Sequence, residues 1–235
     1  MSSRLVAVTF DARDPDRVAE FWAHMLGRDV VGTNGGALLP GVGGQLGVGF
    51  APSRAARVGP NRMHLHVTTR DEEDLRETVD RALRLGARHL DVGQLPDEPH
   101  VVLADPGGNE FCVIPPDNTF LAGCGVLGEL ACGGSREVGA FWSDALGWPL
   151  VWDHDGETAV QSPEGGTKVA WGGPPVASHT ATTKQRFDLV PTDGDPEQEA
   201  ERLVTLGATR LPTRDDGTIS MADPDGNEFR LMALP

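Results

Sequence analysis

His64 and His66 stand two residues apart in the run RMHLHVTT (62–69). The run alternates apolar and polar residues as a strand does, so both imidazoles leave the same face. Cys112, in EFCVI (110–114), sits in a second strand-like run that can face them. Imidazole and thiol groups carry protons near neutral pH and also bind zinc. His64 and Cys112 are therefore the candidate catalytic residues, and His66 a candidate ligand contact. Pairs of histidines on a strand also serve as plain pocket or core residues, which is the competing reading. Other chemistries lack their motifs. GVGGQLGVGF (41–50) is glycine-rich but has no GxxxxGK[ST] and opens no helix, so it reads as a hairpin crossing. No GxSxG is present, so a hydrolase serine is not supported.

The elements that must position these residues come in repeats. ADPGGNEF (104–111) recurs as ADPDGNEF (222–229), and Phe21-Trp22 recurs as Phe141-Trp142. LGA recurs at 85–87 and 206–208. The offsets are 118 (Asp105 to Asp223), 120 (Trp22 to Trp142) and 121 (Leu85 to Leu206). Nearly one offset for separate anchors marks a tandem duplication, with domains at 1–118 and 119–235 and a turn-rich junction in PPDNTFLAG (115–123). Within each copy a strand is followed by a capped amphipathic helix and three short strands, and the pattern then restarts. In the first copy Asp14 caps a helix with Pro15 at its first position and Gly27 at its stop, and Val18, Phe21, Trp22, Met25 and Leu26 form its apolar face. Each copy thus reads as two β-α-β-β-β units. ADP-x-GNEF itself reads as a hairpin: Pro fixes φ, Gly permits positive φ, and Asp or Asn bonds the turn backbone. Glu110 and Glu228 then begin a hairpin strand, solvated or bonded to the turn. Trp22 and Trp142 read as core.

Paired βαβββ units, the FW pair, LGA after the second helix and DP-x-GN before the last strand resemble the vicinal oxygen chelate superfamily. It includes glyoxalase I, bleomycin and fosfomycin resistance proteins and extradiol dioxygenases. The likeness is greatest to glyoxalase-like domains and covers nearly the whole chain. It implies an α+β fold of two tandem modules, each a pair of βαβββ units forming a curved mixed β-sheet cup. It also implies a metal position with a His or Gln on the first strand, a His on the fifth and a Glu on the eighth. Counting from the helix starts and the motif aspartates puts those positions at Ala7, His64 and Cys112 in copy one, and at Leu127, Arg186 and Arg230 in copy two. Alanine and leucine bind no metal, and a guanidinium repels one. The expectation is no cofactor, with a remnant site at His64, His66 and Cys112 for zinc, iron, nickel or manganese as the alternative. Arg186 and Arg230 in such a cup would favour an anionic ligand, unless each pairs with a local carboxylate such as Asp188. Trp152, Trp171 and Phe50, on strands of the cups, are candidate aromatic walls for a flat or cationic ligand.

Composition bounds the function classes. Apolar content is 39% and charged content 23%, as in a folded chain. Net charge is −15, which disfavours nucleic acid and anionic membranes. No apolar run is long enough to span a bilayer and no secretory segment opens the chain, so the expected place is the cytoplasm. Cys112, Cys124 and Cys132 are expected as reduced thiols. The function expected is binding of a small organic molecule in the cups without the metal site, as sequestration or weak metal-independent chemistry. A metal-dependent lyase, isomerase or dioxygenase is the alternative. A tandem chain can supply both halves of a site that single-module relatives build as dimers, so a monomer acting as a pseudo-dimer is expected.

Overall fold

The computed structural model describes residues 2–55, 59–95, 98–173, 185–192, 195–212 and 217–232. The first unit comprises β1 (Ser3–Ala12), α1 (Pro15–Leu26), β2 (Val31–Gly32), β3 (Ala37–Leu39) and β4 (Gly47–Pro52). The second comprises β5 (Met63–Thr68), α2 (Glu72–Arg84), β6 (Arg88–His89), β7 (Val101–Ala104) and β8 (Glu110–Ile114). A 3-10 turn at Thr119–Leu121 leads to the third unit: β9 (Leu127–Cys132), α3 (Arg136–Leu146), β10 (Leu150–His154), β11 (Glu157–Gln161) and β12 (Lys168–Trp171). The fourth comprises β13 (Gln185–Pro191), α4 (Pro196–Thr205), β14 (Thr209–Arg210), β15 (Ile219–Ala222) and β16 (Glu228–Leu231). This is the expected α+β architecture of four βαβββ units.

Local chemistry sets the helix ends. Asp14 accepts from the Arg17 amide with Pro15 at the first position, and Gly27 closes α1 in the left-handed region at φ 63°. Ser135 and Gly147 do the same for α3. Each helix lays its apolar stripe on one face of a sheet, and the opposite face forms a cup.

The sheets join units across the two modules. One eight-stranded sheet runs β14-β15-β16-β13-β1-β4-β3-β2, and the other runs β10-β11-β12-β9-β5-β8-β7-β6. Unit one therefore pairs with unit four, through antiparallel β1 and β13, and unit two with unit three, through antiparallel β5 and β9. We call the cup of the first sheet cup A and that of the second cup B. Each takes half its strands from each module, so one chain completes both. Two glutamines stitch the sheets together. Gln185 accepts from the Arg62 and Met63 amides, both at 2.9 Å. Gln45 accepts from the Leu127 amide at 2.8 Å and donates to the Leu127 carbonyl.

The FW pair and the ADP-x-GNEF run prove to be two halves of one joint. Trp22 donates from Nε1 to Asp105 Oδ2 at 3.0 Å, and Trp142 to Asp223 at 3.1 Å. Asp105 is fully buried and also accepts from the Gly107 and Asn109 amides, both at 2.8 Å. The Phe of each motif packs edge-on against the same indole, Phe111 at 5.0 Å and Phe229 at 5.2 Å between centroids. Each first helix is thus pinned to the last hairpin of its own module. Burial raises the Asp105 and Asp223 carboxyls even though these bonds pull the other way. Of the paired motif glutamates, Glu228 is exposed, while Glu110 is buried and accepts from the Asn61 amide.

Candidate functional site

Cross-strand partners share a face, so the register reads out each cup row by row. In cup B one row runs Gln161, Lys168, Glu129, His66, Cys112 and Val102 across six strands. The next runs Trp152, Ala159, Ala170, Ala131 and His64. In cup A the row equivalent to the first runs Ser220, Arg230, Asp188, Ala7 and Gly47.

These rows correct several counted positions. The fifth-strand partner of Cys112 is His66, two residues beyond His64, and that of Arg230 is Asp188, two beyond Arg186. On β9 the counted Leu127 faces the core and Glu129 faces the cup, because a register shift near His66 and Val67 brings Leu127 and Leu130 to the same side. Ala7 does lie on the face of cup A. Phe50 does not: alternation puts Gly49 in the cup and Phe50 under α1, stacked on Phe10 at 6.0 Å. Trp171 is likewise 1% exposed and packs in the core, and it also lines the cup B cavity. Trp152, by contrast, stands 44% exposed on β10. His179 lies outside the described residues.

Cup B holds a polar line and an apolar slot side by side. In the polar line His66 donates from Nδ1 to Glu129 Oε2 at 2.7 Å, with only 17% and 12% of the two side chains exposed. Burial alone would lower the imidazolium, but bonds to Cys112 and Glu129 and the Glu129 charge outweigh it and raise the group to about 10. His66 is therefore cationic at neutral pH. His100 is lowered, first by its own burial and then by the His66 charge. Lys168 turns away from Glu129: its Nζ donates to the Phe120 carbonyl and lies 4.1 Å over the Phe120 ring. Cys112 packs in a small apolar cluster with Val102, Ile114 and Leu121.

The slot is a cavity of about 650 Å³, with Ala131, Ala159 and Ala170 as its floor, Trp152 and Phe120 as its walls and Glu129 at its polar end. The two wall rings meet edge-on at 5.8 Å. Phe120 comes from the turn between the modules, so the junction is part of the site.

Cup A offers Arg230, Asp188 and Ala7, one carboxylate beside a permanent cation. Row one of cup B offers His66, Cys112 and Glu129, with His66 bonded to Glu129 through Nδ1. Among the described residues no three His, Cys, Asp or Glu side chains gather as a ligand set.

Cup A is knit together internally. Arg186, 7% exposed, bonds Asp11 at 2.9 Å and lies 3.6 Å from Asp188, to which Thr9 also donates. Burial raises the Asp188 carboxyl, against the pull of Arg186, Thr9 and Arg230. Of the two readings of the arginines, pairing with local carboxylates is what Arg186 does. Glu129 and Lys168 were not singled out from sequence. The alternations ELAC and KVAW do put Glu129 with Ala131, and Lys168 with Ala170, on one face each.

Comparison with known proteins follows the same lines. A family model described as a glyoxalase-like domain matches residues 7–114 and 129–232. Glyoxalase I from Zea mays is similar at 16% identity and a TM-score of 0.69, covering 98% of this chain and 92% of that one. A putative dioxygenase from Bacillus subtilis subsp. subtilis str. 168 is similar at 14% identity and a TM-score of 0.63, covering 98% and 85%. At such identities the likeness is one of fold. No curated protein matches the chain.

Proposed function

The chain belongs to the glyoxalase-like domain family, and on that premise we propose that cup B binds a small organic molecule with a flat apolar body, without a metal. The observation that carries this reading is the alanine-floored slot with an exposed tryptophan at its wall. Three methyl groups leave open the space that larger side chains would fill, and an indole half in solvent is apolar surface for a ligand to cover. Metal independence is supported by the counted ligand positions, where Ala7 and Leu127 carry no ligand atom and Arg186 and Arg230 carry a permanent cation. Cup A, with Arg186 already paired to Asp11, has a structural role in this reading. The chain acts as a monomer, because both cups are complete within it. No described helix is long and apolar enough to cross a membrane.

Acridine, a neutral tricyclic probe, tests the reading. It should quench tryptophan fluorescence saturably. Trp152→Leu should weaken binding by about tenfold or more, the effect of losing one aromatic stack of roughly 1.5 kcal/mol. Ala170→Leu should abolish it by filling the floor. Unchanged affinity in both variants, each with a native melting curve, would remove cup B as the binding site.

A further inference from the structure

Resting on that reading, we infer that the slot of cup B selects flat aromatic amines in their protonated form. Shape comes first. Ala131, Ala170 and Ala159 are direct cross-strand neighbours on three adjacent strands. Strand spacing of about 4.8 Å makes their methyl groups a level floor roughly 10 Å wide, the span of two or three fused rings. Trp152 and Phe120 rise from that floor with their rings set edge to face, so one of them can offer a face to a flat ligand.

Polarity selects within that shape. The charged residues lining the slot are Glu129 and Glu157, and no Lys, Arg or His lines it among the described residues. The two neighbouring cations point elsewhere, Lys168 to the Phe120 carbonyl and His66 to Glu129 Oε2. Oε1 of Glu129 makes no hydrogen bond among the described residues, and Glu129 lines the slot. An ionised carboxylate only accepts, and it has lone pairs to spare after one bond. The ligand must therefore donate. An amino-substituted heteroaromatic ring protonated at its ring nitrogen spreads the charge over ring and amino group, so its N–H donates to Oε1 with charge assistance while the cationic ring lies against the Trp152 indole. A carboxylate or phosphate in the same place would meet two acidic side chains and no free cation. The net charge of −15 acts in the same direction by concentrating cations at the surface.

Acridine and its amino and carboxylate derivatives, the latter two substituted at the same ring carbon, share one flat ring system and differ in charge. Isothermal titration of the full chain with each, at neutral pH, separates shape from charge. The amine should bind about tenfold or more tighter than acridine, and the carboxylate about tenfold or more weaker, the range of one charge-assisted bond gained or one repulsion added. Glu129→Gln should cut the advantage of the amine over the carboxylate to below about threefold while acridine binding persists. Equal binding of the three probes, or tightest binding of the carboxylate, overturns the amine class but leaves cup B as a binding site. Failure of all three to bind overturns both.

Discussion

Replacing Asp105 by alanine is expected to cost about 4 kcal/mol of stability, a drop in melting temperature on the order of 10 °C for a chain of this size. The reason lies in the donors left behind. Trp22 Nε1, the Gly107 amide and the Asn109 amide all end on this carboxylate, which is 0% exposed. Each buried donor without an acceptor costs about 1–3 kcal/mol, and partial rehydration recovers some of the sum. Asp223→Ala should behave alike, because Trp142, the Asp225 amide and the Asn227 amide meet there in the same way. Asp105→Asn keeps an acceptor for the backbone amides but turns an amide N–H toward Trp22, so it should lose about half as much. Thermal melts of the three variants check this. A shift of less than about 2 °C for Asp105→Ala would mean that the joint is not what fixes helix to hairpin.

Alkali should weaken the fold through His66. Its folded-state value, about 10, lies above that of an unfolded histidine, so the folded chain holds a proton that the unfolded chain releases. The associated stability is fully present below about pH 6.5 and is lost as pH rises through about 10. With both side chains largely buried, the loss is on the order of 3 kcal/mol. Urea midpoints at pH 6 and pH 10 measure it against His66→Gln, which lacks the proton at both. The original chain should fall further than the variant by that amount. Parallel falls in the two proteins would show that the Glu129–His66 bond contributes nothing to the alkaline sensitivity.

The sequence makes the architecture legible because the elements that build it are duplicated whole. Trp22 with Asp105 and Trp142 with Asp223 form the same joint, and FW and ADP-x-GNEF stand in both copies of it. The partnering of units across modules is another matter. It depends on how β1 meets β13 and β5 meets β9, more than a hundred and more than sixty residues apart, and no local pattern encodes it. The cups were read less well for a related reason. Period-two alternation tells which residues share a face but not which face is covered by a helix. Phe50 lies on the face of β4 packed against α1 while Gly49 faces cup A, and Trp171 is buried in the core while still lining the cup B cavity. The register shift beside His66 hid Glu129, the residue that gives cup B its polarity. His66, Cys112 and Trp152 lie in cup B, but sequence alone does not show that Glu129 and Lys168 complete their rows.

The measurement that bears most directly on the central claim is acridine titration of the chain before and after exhaustive dialysis against a chelator, with metal content determined on both samples. The account predicts affinity unchanged within about twofold and no metal in stoichiometric amount in either sample. Loss of binding on dialysis, restored by adding zinc, nickel, iron or manganese, would contradict it and favour the remnant metal site at His64, His66 and Cys112.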